Sequence, residues 1–328
     1  MKAVVLTKIG KSGNLIYQSI DRPVPAANEA LIKVKFCGLN HLDLLIQQGK
    51  RPGPKIFPHI LGSEIVGTTA QGDNVIVYPW TFCGKCFQCK SGNENVCDNG
   101  GTIGRTKWGG YAEYTVVPAK NLIKIPKGLS LDQVCAATLA GTTAHHLIDR
   151  AKVKNNSSVL VAGSTGGVGT FVIQLLKNRD CKIICSTSHS SKKNLLKKLG
   201  VDHVVSTKRL AGEVRRIYPG GVNYVVDMIG GHIWSEGVRL LAKNGTMVYC
   251  ATTIDETGTV DIGSAFSRQI NILGSYGGRI KDLKNVLKLL KNKILQPCID
   301  SIYPLRKAQE ALKKLDKQKA FGKILLEI

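Results

Sequence analysis

At 328 residues with 43% hydrophobic content, the chain is long enough for roughly two domains, each with its own core. Lysine and arginine outnumber the acidic residues 46 to 23, and the resulting net charge of +23 draws anionic partners, whether phosphorylated small molecules or nucleic acid. The opening stretch Met1–Lys8 is too short in its apolar part for a secretion signal, and no apolar run reaches the roughly 18 residues of a membrane span, so a soluble, cytoplasmic protein is expected.

Residues 1–125 carry short β-like runs at Ala3–Leu6, Glu29–Phe36, Glu64–Thr68, Asn74–Val77 and Tyr111–Val117. Turn chemistry such as Arg51-Pro52-Gly53-Pro54 separates them, and a helix is expected near Leu42–Gln48. This predicts a largely antiparallel β domain. Within it, Cys83, Cys86, Cys89 and Cys97 stand at C-x2-C-x2-C-x7-C spacing. Four thiols so placed fit a closed tetrahedral zinc site that staples a loop and leaves no open position for chemistry. The remaining six cysteines are scattered singly, which argues against a disulfide framework.

From about residue 126 strands alternate with helices: Val159–Val161, Lys182–Ser186, His203–Val205, Tyr224–Asp227, Thr246–Ala251 and Ile270–Ser275 read as strands of a doubly wound parallel sheet. Its first strand runs into Gly163-Ser164-Thr165-Gly166-Gly167-Val168-Gly169, which matches a dinucleotide-binding turn except that Ser164 replaces the first glycine. Gly166 and Gly167 allow close approach of a pyrophosphate, and Gly169 lets helix and strand pack closely. The second strand ends in Ser186-Thr187-Ser188-His189-Ser190-Ser191-Lys192-Lys193, without the carboxylate that grips the ribose diol of NAD. Hydroxyls and lysines there favour the 2′-phosphate of NADP(H). The last fifty residues contribute helices near Lys281–Lys293 and Leu305–Asp316 and a strand at Gly322–Ile328 that return to the first domain. The expected domains are thus 1–125 with 276–328, and 126–275.

Together with the cysteine lobe and the glycine turn, the motifs Phe36-Cys37-Gly38-Leu39-Asn40-His41-Leu42-Asp43, Leu61-Gly62-Ser63-Glu64-Ile65-Val66-Gly67, Gly109-Gly110-Tyr111-Ala112-Glu113-Tyr114 and Ala140-Gly141-Thr142-Thr143-Ala144 resemble the medium-chain dehydrogenase/reductase superfamily over the whole chain. The resemblance implies an α/β architecture, a GroES-like mainly antiparallel β domain plus a Rossmann domain. It is similar to the quinone oxidoreductase-like branch, while retaining the structural zinc lobe of the zinc alcohol dehydrogenases. Cys37 matches the first ligand of their reactive zinc, but Ser63 and Leu139 stand where the other two belong, and Leu42 replaces the hydroxyl that begins their proton relay.

The resemblance implies hydride transfer from NADPH to a quinone or an α,β-unsaturated carbonyl without a catalytic metal. Asn40, Asp43 and Ser63 become the candidate catalytic residues, and His41 and His59 are candidate proton sources. Tyr78 and Trp80 either line the pocket or pack beneath the zinc lobe. Cofactor positions fall on Thr143, Gly166, Gly167, Val168, Gly169, Ser186, Ser188, Lys192, Ala251, Gly274 and Ser275, with Lys323 near the phosphates. Pairing of the edge strand Ile270–Ser275 with a second copy implies a homodimer or a tetramer of dimers. A zinc alcohol dehydrogenase with a rebuilt metal site and an NADPH-responsive RNA-binding or structural protein remain the alternatives.

Overall fold

The computed structural model of the protein describes residues 1–10, 14–54 and 56–328. Two compact units are present: Met1–Leu139 with Arg279–Ile328, and Ala140–Gly278. Residues 126–139 therefore pack with the β-rich unit, and the chain returns to it at Arg279.

The first unit begins with β1 (Lys2–Leu6), β2 (Leu15–Ser19) and the long β3 (Glu29–Gly38), followed by α1 (His41–Gln47). Next come β4 (His59–Ile60), β5 (Glu64–Thr68), β6 (Asn74–Val77) and β7 (Trp80–Thr81), then the short α2 (Phe87–Lys90) inside the cysteine lobe. Strands β8 (Gly101–Thr102), β9 (Tyr114–Pro118) and β10 (Leu122–Lys124) precede α3 (Leu131–Thr138).

The second unit contains α4 (Ala140–Arg150), β11 (Ser158–Ala162), α5 (Gly167–Lys177), β12 (Lys182–Thr187), α6 (Lys193–Lys198) and β13 (His203–Ser206). It continues through α7 (Leu210–Ile217), β14 (Val222–Asp227), α8 (Gly231–Leu240), β15 (Leu241–Tyr249), α9 (Ile262–Ser267) and β16 (Asn271–Gly274). The first unit is then completed by α10 (Ile280–Lys291), β17 (Ile299–Pro304), α11 (Ala308–Asp316) and β18 (Lys323–Glu327).

In the first unit a seven-stranded sheet runs β10-β6-β5-β3-β18-β17, with β9 also on β3; β2-β1-β4 and β7-β8 form smaller sheets. Pairings around β3 are antiparallel, while β17 and β18 run parallel. Alternation puts Ile32, Val34, Ile65, Val75, Val77, Ile324 and Leu326 into one core. In the second unit the sheet order β13-β12-β11-β14-β15-β16 is entirely parallel, the doubly wound order of a dinucleotide-binding fold. Strand β11 is buried along its whole length, as a central strand covered on both faces must be. Strand β16 is the sheet's edge.

Strand β17 was not predicted. Its sequence Ile299-Asp300-Ser301-Ile302-Tyr303-Pro304 has no clean alternation, and a register shift interrupts its pairing with β18. Tertiary pairing, and not local pattern, makes it a strand.

Candidate active site and metal centre

The floor of the first unit's candidate site forms where β3 ends, α1 begins and β5 and β18 lie alongside. Asp43 is fully buried: its carboxylate accepts the Asn40 N–H (2.9 Å), the Gly62 N–H (3.2 Å) and the Tyr111 hydroxyl (3.1 Å). Burial pushes its carboxyl up to about 6, against the three hydrogen bonds that favour the anion. Asp43 thus ties the start of α1 to the loop before β5 and acts by positioning. Tyr111, which sequence reasoning placed only within a motif, supplies the third tie; a buried phenol requires a partner, and that requirement is the signal.

Glu64 and Lys323 form a buried ion pair at 2.6 Å. Lys323 Nζ also donates to the carbonyl of Leu39 (2.6 Å) and to Asn40 Oδ1 (2.9 Å). Glu64 in turn accepts the Leu139 N–H (2.7 Å) and the Asn40 amide (3.2 Å). Gly38 is required beneath it, since a Cβ there would sit 2.9 Å from the Glu64 carboxyl carbon. This network corrects two expectations. Lys323 does not reach toward phosphates, because its ammonium is committed to the floor of the first unit. Asn40, a candidate catalytic residue on the expectation that its amide donates to a substrate oxygen, is not free to do so, because the amide donates to Glu64 and to the Gly38 carbonyl (3.2 Å) and its oxygen is taken by Lys323.

Ser63 differs from both. It is fully buried, and its hydroxyl has no partner among the described residues. Cys37 packs in the core, its Sγ wedged against the Gly62 and Gly110 backbone, and burial pushes its thiol well above the ordinary range. His59 is buried with Nε2 3.2 Å from the Gly104 carbonyl, whereas His41 is exposed. Tyr78 and Trp80 are buried edge to face at 5.3 Å, and Tyr78 also meets Phe82, just ahead of the cysteine lobe.

The candidate metal centre lies in the cysteine lobe. The sulfurs of Cys83, Cys86, Cys89 and Cys97 all lie within 4.8 Å of one another, the one such group of metal-ligating side chains among the described residues. Cys83 and Cys89 are 3.9 Å apart and Cys86 and Cys97 3.8 Å. A zinc ion about 2.3 Å from each of four sulfurs needs edges of about 3.8 Å. Backbone N–H groups of Lys85 and Cys86 donate to Cys83 Sγ and lower the pKa of its thiol, while burial raises that of Cys89.

In the second unit β11 leads into the glycine turn. Gly163 takes φ +83°, and Gly169 has no room for a Cβ, which would lie 2.7 Å from the Ser164 Cα. Above Gly166 the nearest atom to such a Cβ is 3.7 Å away, so the backbone there is open to approach. Helix α5 starts at Gly167 with no side chain capping it, leaving its first N–H groups for an anion. Ser164, the departure from the glycine pattern, is fully buried and donates to the Ser186 carbonyl (3.0 Å), tying the turn to the end of β12.

The hydroxyls of Thr142, Thr143, Ser186 and Ser275 and the ring nitrogen Nε2 of His189 are buried without a partner among the described residues. An unpaired buried hydroxyl costs about 1–3 kcal/mol, which a bound polar ligand would recover. These residues therefore fit a dinucleotide. Ser188 is exposed and Lys192 buried beside it. Gly274 closes the edge strand and Ser275 follows it, the Ser275 N–H donating to the Tyr249 carbonyl (2.8 Å). Asp227, which sequence reasoning missed, closes β14: it accepts the Ile229 and Gly230 N–H groups at 3.0 and 2.9 Å, and burial raises its carboxyl to about 6.

With this geometry in hand, residues 26–127 match the alcohol dehydrogenase GroES-like domain, and residues 167–292 match the zinc-binding dehydrogenase domain. The chain is similar to a protein described as an NAD-dependent alcohol dehydrogenase from Sulfolobus acidocaldarius, 30% identical over 100% of both chains. It is also similar to an acryloyl-coenzyme A reductase from Sulfurisphaera tokodaii, 28% identical over 100% of both. A solved structure of an NAD-dependent alcohol dehydrogenase superposes with a TM-score of 0.93 at 30% identity, covering 100% of both chains. The chain belongs to the medium-chain dehydrogenase/reductase superfamily, as an oxidoreductase of the zinc-binding, alcohol dehydrogenase-like kind.

Proposed function

We propose that this protein is an NADPH-dependent reductase that delivers hydride to a quinone or an α,β-unsaturated carbonyl, with one structural zinc in the cysteine lobe and no catalytic metal. One observation carries the reading. At the position expected of a zinc-ligating imidazole stands Ser63, a buried hydroxyl with no partner, while Leu139 offers only hydrocarbon and Cys37 is packed as an apolar thiol. A neutral hydroxyl, a hydrocarbon and a protonated thiol do not fit a reactive zinc. Conjugated carbonyls accept hydride without the Lewis acid that alcohol oxidation demands.

Bound NADPH supplies the hydride. The chain's own residues do the rest. The Ser63 hydroxyl is the available donor to charge developing on the carbonyl oxygen, and Asp43, Asn40, Glu64 and Lys323 hold the floor around it. In the second unit the uncapped α5 amides at Gly167, Val168 and Gly169 would receive the pyrophosphate. Ser186, Ser188 and Lys192 would meet the 2′-phosphate, and Thr143, Ala251, Gly274 and Ser275 would hold the nicotinamide end. The relative described as an acryloyl-coenzyme A reductase supports a conjugated thioester as one substrate class. The NAD preference in the description of other relatives is not carried over, because β12 ends here in hydroxyls and lysines without a carboxylate.

The test is loss of nicotinamide absorbance with quinones, enones and enoyl thioesters, NADPH against NADH. The expected result is turnover of a conjugated carbonyl with NADPH favoured in kcat/KM by at least about tenfold, the worth of one charge-assisted contact. Preference for NADH, or ethanol oxidation that requires a second metal, overturns the reading. We also infer that two copies pair along the β16 edge, whose outer side has no strand partner among the described residues.

A further inference from the structure

The cysteine lobe holds more than its own loop. Glu94 lies three residues before the ligand Cys97, on a single 3-10 turn whose backbone carries the Cys97 N–H (3.2 Å to the Glu94 carbonyl). Its carboxylate accepts the N–H of Ile280 at 2.5 Å, a contact 186 residues away in sequence. Ile280 is the first residue of α10, where the chain returns to the first unit, and its N–H has no partner inside the helix. The next carboxylate along, Asp282, is fully buried, accepts the Arg279 N–H (2.9 Å) and pairs with the Arg279 guanidinium (2.8 Å). Two carboxylates thus close the start of α10, one from the helix itself and one from the zinc lobe. Both lie at the positive end of the helix dipole.

We propose that Glu94 makes the first turn of α10 dependent on the metal: zinc in the Cys83–Cys86–Cys89–Cys97 site fixes the 3-10 turn, the turn fixes the Glu94 carboxylate, and the carboxylate holds Ile280. Loss of the metal removes what holds the four sulfurs together, the turn loses its anchor at Cys97, and the return point of the chain is released. Asp282 then remains as a partial cap, so the effect is confined to the helix start. This coupling depends on zinc held by the four cysteines and is independent of the cofactor and substrate.

The experiment is amide hydrogen exchange on the full-length protein, zinc-loaded and zinc-stripped by a thiol reagent and chelator, with zinc content measured in each. The expected result is exchange in peptides covering 279–283 faster by about tenfold or more without zinc, while β11 and β14 are unchanged. Unchanged exchange there, with the cysteine lobe itself opened, overturns the proposal. Should stripping unfold the whole first unit, zinc-loaded Glu94→Ala still decides whether the carboxylate holds Ile280, the link on which the proposal stands. It is expected to retain its zinc and show the same local acceleration, with Glu94→Gln, which keeps an acceptor, in between. Zinc-loaded Glu94→Ala with native protection at 279–283 overturns it equally.

Discussion

Two buried polar groups in the candidate floor make opposite demands on substitution. Ser63 has no partner to lose, so Ser63→Ala is expected to leave the melting temperature unchanged or slightly raised. If the hydroxyl stabilises a developing oxyanion, the same change lowers kcat by about 10²-fold. A large loss of stability with kcat intact would assign Ser63 to the scaffold. Lys323 is the reverse case. Lys323→Met strands the Glu64 carboxylate, which is fully buried, and about 3–5 kcal/mol of folding stability is expected to go, measured by denaturant unfolding. A neutral outcome would mean that the pair is hydrated in solution. Neither role was legible locally: Glu64 and Lys323 sit in distant motifs, and only the placement of β18 beside β3 brings them together. The family resemblance placed this lysine near the phosphates, and its burial against Glu64 reassigns it.

At the scale of elements, the glycine turn was legible because each glycine has a steric reason that sequence spacing encodes. Gly169→Ala would place its Cβ against the Gly163–Ser164 backbone, so weakened cofactor binding by fluorescence titration is expected, together with a lower melting temperature of the second unit. Gly212→Ala, with nothing near its Cβ, is the control. The loop after β14 was not legible, because its organiser is a single acid at a strand end. Asp227 has a carboxyl raised to about 6 by burial, above its unfolded value. The folded state then binds more protons between those limits, so its contribution to stability is fully present at low pH and is lost as pH rises through about 6. The stability of the wild type relative to Asp227→Asn should therefore shrink from pH 4 to pH 7. A difference that grows with pH would place the folded value below the unfolded one.

Across the whole chain, the coarse architecture was readable because period and composition change together near the middle: short alternating runs give way to buried strands spaced by helices. Where the units divide was less so, since α3 has the look of the alternating half yet packs onto β3 and β5 of the first unit. The cysteine spacing announced its metal, while the tie from that lobe to α10 depends on folding. The account's central claim is that the chemistry proceeds with the lobe's zinc as the protein's only metal. Its most direct test is the zinc content per chain of purified protein that is turning over a conjugated carbonyl with NADPH. One zinc per chain, with activity proportional to protein and indifferent to added metal, is the predicted result. Two per chain, with activity lost as the second is removed, would contradict it.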